Sequence, residues 1–130
     1  MPEHSFEEWI KRAEQDFEYA RLGMRQRNKP LFEGVCFHSQ QCAEKYLKAF
    51  LVRHKIAFPK THDLIELRRL CLLADPTFDL ITDPLKELFP YAIDTRYPGL
   101  SLTKEDAKEA VTAMKKIRAF VRARLGLKSK

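Results

Sequence analysis

The chain has 130 residues, of which 45% are hydrophobic and 32% are charged, and its formal net charge is +6. This length and composition fit one domain, predicted to span residues 1–130, and exclude a disordered chain. The apolar runs are far shorter than the about 20 residues that a transmembrane helix needs, and no secretory signal precedes the first amphipathic pattern, so we expect a cytoplasmic protein without a membrane span.

Two long helices are predicted in the first half of the chain. The first starts at Ser5, because Glu8 three residues later completes a capping box, and it ends at the Asn28-Lys29-Pro30 segment. The second is predicted from about Leu31 to His54. Its apolar seam alternates steps of four and three and comprises Phe32, Cys36, Ser39, Ala43, Tyr46 and Phe50.

Three more helices are predicted in the second half. Thr61 is expected to cap the third helix, and Asp83, followed by a proline, to cap a short fourth helix. Residues 94–101 are predicted to form an ordered loop, after which Thr103 caps a long final helix. Three long helices and two short ones with brief connections predict an all-α fold, an antiparallel up-and-down helical bundle of about five helices.

The three cysteines are predicted to be reduced packing residues. Cys36 and Cys42 lie six residues apart in one helix and cannot pair locally. With Cys71 they form an odd set without the close ligand spacing of a zinc site. Free cysteine usually packs as a small hydrophobic residue. We therefore expect neither a metal nor a cofactor.

A row of polar side chains on the second helix is the first candidate binding site. His38, Gln41, Lys45 and Lys48 step by three, four and three, so they align along one edge of the helix, away from the apolar seam. An imidazole, an amide and two ammonium groups suit a phosphate or a nucleotide. An ordinary polar helix face, with Glu44 balancing a lysine, explains the same pattern.

Two further candidates lie at a helix start and in a loop. At Thr61-His62-Asp63, backbone N–H groups beside an imidazole can bind an anion, or the segment can simply cap its helix. Arg96 can bind a phosphate while Tyr97 stacks on a base. Alternatively, Arg96 can form an ion pair and Tyr97 can pack at the edge of the bundle. Glycine-rich phosphate loops and the HExxH and G-x-S-x-G motifs are absent, so we assign no catalytic residues.

Several segments together resemble the prokaryotic HEPN domain family. The segment Phe37–Ala49 (FHSQQCAEKYLKA) is similar to the pattern of the family's second helix. Thr61–Leu64 (THDL) is similar to its T-H-[DS]-L motif, and Arg96–Pro98 to its R-Y-P motif. The first helix has a similar opening pattern, which is carried by Trp9, Ala13, Asp16 and Phe17.

The resemblance implies a helical bundle that usually forms a homodimer and often acts with a minimal nucleotidyltransferase partner, in some cases as a toxin–antitoxin pair. It also implies that an ATP-like nucleotide or RNA binds in a cleft. The candidates for that cleft are His38, Gln41, Lys45, Lys48, His62, Arg96 and Tyr97.

Catalysis is not the favoured expectation. Ribonucleases of the HEPN family carry an arginine followed, after a gap of four to six residues, by a histidine, and no arginine in this chain has that spacing. The sequence therefore favours a nucleotide-binding module. The alternatives are an RNA-binding or ribonuclease toxin and a non-catalytic helical interaction scaffold.

Overall fold

The structure is a computed structural model that describes residues 4–27, 31–92 and 101–128. These residues form five α-helices: α1 (Phe6–Met24), α2 (Phe32–Arg53), α3 (Leu64–Ala74), α4 (Thr82–Leu88) and α5 (Lys104–Arg124). Short 3-10 helices at Pro76–Ile81 and Phe89–Ala92 flank α4, and the described ranges contain no strand. The predicted all-α fold with three long and two short helices is confirmed.

The predicted capping box at Ser5 is present, and the predicted cap Thr103 also forms one. Ser5 Oγ accepts from the backbone N–H of Glu8 at 3.2 Å, and the Glu8 carboxylate accepts in return from the backbone N–H of Ser5. Thr103 and Asp106 form the same reciprocal pair at the start of α5, with distances of 3.1 and 2.9 Å. These local hydrogen bonds satisfy N–H groups that a helix start leaves without a partner.

The predicted start of α3 at Thr61 is wrong. Asp63 is the N-cap, and its carboxylate accepts from the backbone N–H groups of Ile65 and Glu66 at 2.9 and 3.1 Å. The Thr61 hydroxyl accepts from the N–H of Asp63 at 3.0 Å instead. A carboxylate that accepts from two N–H groups satisfies the helix start better than a hydroxyl that accepts from one. The N–H groups of Ile65 and Glu66 are therefore already occupied by Asp63.

The predicted cap of α4 at Asp83 is also wrong. The chain is already helical before this residue, because the Pro76–Ile81 segment leads directly into α4 at Thr82. The hydroxyl of Thr82 donates to the carbonyl of Asp79 at 2.7 Å. The loop predicted at 94–101 lies outside the described residues except for its last position.

Helix α2 is the central element, and it packs against α1, α3 and α5. The predicted seam is confirmed, since every member after Phe32 is buried and Phe32 packs against the core. All three cysteines are free and buried, and burial raises the pKa of Cys36 to about 12. None of the helices within the described ranges has the length and apolar content that a membrane crossing requires.

A residue just beyond the C-terminal end of α2 has a strained backbone conformation. Lys55 has φ 57°, and next to it the N–H of Ile56 bonds to the carbonyl of Leu51 at 2.9 Å, which closes the helix. A glycine takes the matching position after α5, where Gly126 has φ 71°. A side chain with a Cβ destabilises this conformation.

Replacing Lys55 with glycine is therefore expected to raise the free energy of unfolding by about 0.5–1 kcal/mol. Urea denaturation measures the change. The matched control is Gly126→Ala, which introduces the same strain at the other helix end and should lower stability by a similar amount. Destabilisation by Lys55→Gly contradicts the expectation.

Candidate functional site

The polar row of α2 faces neighbouring parts of the fold. Gln41 and Lys48 are buried, and Lys45 is largely covered. The row is therefore a packed interface between α1, α2 and the segment before α3, and not the separate polar edge that its spacing suggested. Two buried carboxylates, from Asp16 and Glu44, organise this interface.

Asp16 joins α1 to two members of the row. Its Oδ1 atom lies 2.7 Å from Nδ1 of His38, and its Oδ2 atom accepts from Nζ of Lys45 at 2.5 Å. The imidazole of His38 also stacks on the ring of Tyr19, with the ring centroids 4.9 Å apart. The side chain of His38 remains 31% exposed, so one histidine is fixed on two sides and still reaches the surface.

Glu44 organises the other half of the interface. Its Oε1 atom lies 2.8 Å from Nδ1 of His62, and its Oε2 atom accepts from Nζ of Lys48 at 3.0 Å. The amides of Gln40 and Gln41 both donate to Oε1 at 3.3 Å. The side chain of His62 is 55% exposed, so this buried carboxylate also holds an imidazole that reaches solvent.

Two aromatic rings surround the ammonium group of Lys48. Its Nζ atom lies 5.3 Å from the ring centroid of Trp9 in α1 and 5.8 Å from that of Phe58, in the segment before α3. Both distances suit a cation–π interaction. Lys48 therefore connects α1, α2 and the connecting segment through charge and through packing.

We call the whole set the polar cluster. It comprises Asp16, His38, Gln40, Gln41, Glu44, Lys45, Lys48 and His62. Each of its two carboxylates pairs with one ammonium group and lies beside one imidazole. Within the described ranges, no group of three or more histidine, cysteine or acidic side chains could hold a metal ion.

The two histidines offer the same chemistry. Each has Nδ1 beside a carboxylate, and neither Nε2 atom hydrogen-bonds to a residue in the described part of the chain. A neutral imidazole that donates from Nδ1 leaves Nε2 as an acceptor, while an imidazolium donates from both nitrogens. The Nε2 atoms of His38 and His62 can therefore meet a ligand.

The structure brings five of the seven predicted site residues into the polar cluster: His38, Gln41, Lys45, Lys48 and His62. Arg96 and Tyr97 lie outside the described residues, and their role in binding stays a prediction.

Sequence reasoning did not assign the two carboxylates to the site. Asp16 falls between Ala13 and Ala20 on the apolar stripe of α1, in steps of three and four, and this is the signal of a buried charge. Glu44 precedes Lys48 by four residues, a spacing that is equally typical of an ion pair on a helix surface. The spacing identified this pair correctly but could not show that it is buried.

Fold and site together define a class of protein, a small all-α domain whose central helix holds histidines and lysines against buried carboxylates. Residues 6–124 match the HEPN domain family, and the chain belongs to this family.

Two solved structures and one curated protein are similar along nearly their whole length. "ST0689, an archaeal HEPN homologue" is 30% identical with a TM-score of 0.72, and 94% of this chain and 98% of that chain are covered. TT1696 from Thermus thermophilus is 28% identical with a TM-score of 0.70, with coverages of 92% and 97%. "Putative toxin MJ1304" of Methanocaldococcus jannaschii is 30% identical, with 92% of this chain and 90% of that protein covered.

Proposed function

We propose that this chain is the HEPN component of a toxin–antitoxin pair, that it acts as a homodimer with a minimal nucleotidyltransferase, and that it binds an ATP-like nucleotide. Membership of the HEPN family and similarity to a protein named as a toxin support the pair. The observation that carries nucleotide binding is the pair of histidines that buried carboxylates hold at Nδ1. Each imidazolium can donate from Nε2 to a phosphate oxygen.

The histidines are the side chains for direct contact in this proposal. Lys45 and Lys48 already pair with Asp16 and Glu44, and the Gln41 amide donates within the cluster. These three residues therefore support the site by balancing charge and fixing the carboxylates. A substitution of either lysine would unbalance a buried carboxylate, so it is a poor test of binding.

Calorimetric titration of ATP into the purified chain tests nucleotide binding. The double variant His38→Gln/His62→Gln is expected to weaken binding by about tenfold or more, because both imidazole contacts with the phosphate groups are lost. The matched control is His54→Gln, at an exposed histidine outside the polar cluster, and it should bind as the wild type does. Wild-type affinity in the double variant, or no binding by the wild-type chain, contradicts the proposal.

Co-expression tests the partner. A reading frame for a minimal nucleotidyltransferase is expected beside the gene, and its product should co-purify with this chain. The mass of the complex measured by light scattering should correspond to two copies of this chain together with the bound partner. Separate elution of the two proteins contradicts the paired function, whatever the nucleotide titration shows.

An RNA-directed toxin is the second candidate function. The relative named as a toxin favours it, and so does the placement of His62, because Glu44 orients Nδ1 and leaves Nε2 without a partner among the described residues. Incubation of the chain with RNA in EDTA should then give cleavage that Arg96→Ala or His62→Gln abolishes. Intact RNA removes this candidate.

A further inference from the structure

A groove lies between the second half of α1 and the first half of α2. Its volume is about 410 Å³, and its walls are largely apolar and aromatic, with contributions from Tyr19, Leu22, Leu31 and Val35. We propose that this groove binds the nucleobase of a nucleotide or of single-stranded RNA. This inference rests on the proposed nucleotide binding. It gives the base a position, whereas the polar cluster accounts only for the phosphate groups.

An aromatic pair forms one end of the groove. The ring of Tyr19 stacks on the imidazole of His38 at an interplanar angle of 29°, and the tyrosine is 59% exposed. Because His38 already holds the ring of Tyr19 in place, little conformational entropy is lost when a base stacks on that ring. His38 belongs to the polar cluster as well, so a base in the groove lies beside the candidate phosphate donors.

Two glycines determine the shape of the groove. A Cβ atom at Gly23 would lie 2.7 Å from Cγ2 of Val35, so glycine is what allows α1 and α2 to approach closely here. At Gly34, by contrast, a Cβ atom would meet no other atom within 4 Å, so this wall opens onto empty space. The volume falls within the range of about 300–1,000 Å³ that small-molecule sites usually have.

A few polar groups lie among the apolar walls. One carboxylate oxygen of Glu33 accepts from the backbone N–H of Leu102 at 3.4 Å, and the other has no hydrogen bond to a described residue. The amide nitrogen of Gln26 donates to the carbonyl of Leu22, which leaves its oxygen as an acceptor. These acceptors and the Nε2 atom of His38 suit the N–H and ring-nitrogen edge of a base. An apolar side chain of another protein would leave them without partners.

The experiment titrates adenosine, guanosine, ATP, inorganic phosphate and a short single-stranded RNA into the wild-type chain and two variants. Gly34→Leu fills the groove from its open wall and is expected to weaken nucleoside and ATP binding by about tenfold or more. Tyr19→Ala removes the stacking ring and should weaken both by about fivefold or more. The controls are Gly34→Ala, which adds only one methyl group, and Leu73→Ala, at a leucine that is also exposed. Both should bind nearly as the wild type does.

The possible results separate this inference from the proposed function. If the wild type binds ATP and both folded variants bind it equally well, the base lies elsewhere, and only the groove assignment fails. If ATP and inorganic phosphate bind but neither nucleoside does, the groove assignment fails as well. No binding of any ligand overturns both proposals. If the variants lose more affinity for the RNA than for ATP, the result supports RNA as the source of the base. If they lose more affinity for ATP, the result supports a free nucleotide.

Discussion

Replacing Glu44 with alanine is expected to lower the free energy of unfolding by about 3–5 kcal/mol, because it removes the counter-charge of a buried ammonium group. The side chain of Glu44 is 3% exposed and that of Lys48 is 8% exposed. Without the carboxylate, the charge of Lys48 remains beside the rings of Trp9 and Phe58, and the amides of Gln40 and Gln41 lose an acceptor. Urea denaturation measures the loss.

Two controls separate the buried charge from the loss of side-chain atoms. The double variant Glu44→Leu/Lys48→Met replaces the pair with apolar side chains of similar size and should recover most of the stability. Glu18→Ala breaks an exposed ion pair with Arg21 and should change stability little. A small effect of Glu44→Ala would show that water or a rearranged partner compensates the charge of Lys48.

The elements that short-range chemistry determines could be predicted from the sequence. The caps at Ser5 and Thr103 were predicted from nearby residues, and each forms a capping box with the residue three positions later. The seam of α2 follows from a helical period, and its members are buried. The start of α3 was missed because Thr61 and Asp63 are both good caps, and only the path of the chain decides between them.

The environment of the polar row could not be predicted in the same way. Its spacing shows that the row lies on one side of α2. Which element packs on that side depends on contacts between residues that are distant in sequence. Asp16 lies 22 positions before His38, and Glu44 lies 18 positions before His62. A single sequence contains no signal that joins these pairs. Their burial changes the chemistry of the row, because cations that could meet a phosphate are balanced within the fold.

A second buried charge connects the first and last helices. Arg118 of α5 donates from Nε and Nη2 to the Glu14 carboxylate of α1 at 2.7 and 2.8 Å. Its guanidinium lies 4.1 Å from the ring centroid of Phe17, and the hydroxyl of Tyr46 in α2 donates to the same carboxylate. Three helices therefore share one ion pair, and a bidentate contact of this kind is geometrically specific.

Replacing Arg118 with alanine is expected to lower the free energy of unfolding by about 2–4 kcal/mol, because it removes two charge-assisted hydrogen bonds and the packing on Phe17. Arg118→Lys keeps the charge but loses the planar fork, so it should cause an intermediate loss. Urea denaturation at neutral pH measures both variants. Equal stability of Arg118→Lys and the wild type would show that charge alone matters at this position.

The ion pair of Arg118 and Glu14 also makes the free energy of unfolding depend on pH in the acid range. Burial alone would raise the pKa of Glu14, but hydrogen bonds from Arg118 and Tyr46 and the charges of Arg118 and Arg122 outweigh it, so the pKa lies below its ordinary value of 4.5. A carboxyl group whose pKa is lowered in the folded state contributes its full stability above its unfolded-state pKa. This stability is lost as the pH falls through the folded-state pKa. The wild type should therefore lose more stability than Glu14→Gln between neutral pH and the acid range below 4.5. Parallel pH profiles would mean that other carboxyl groups whose pKa is lowered, such as those of Asp75 and Asp106, account for the whole acid dependence.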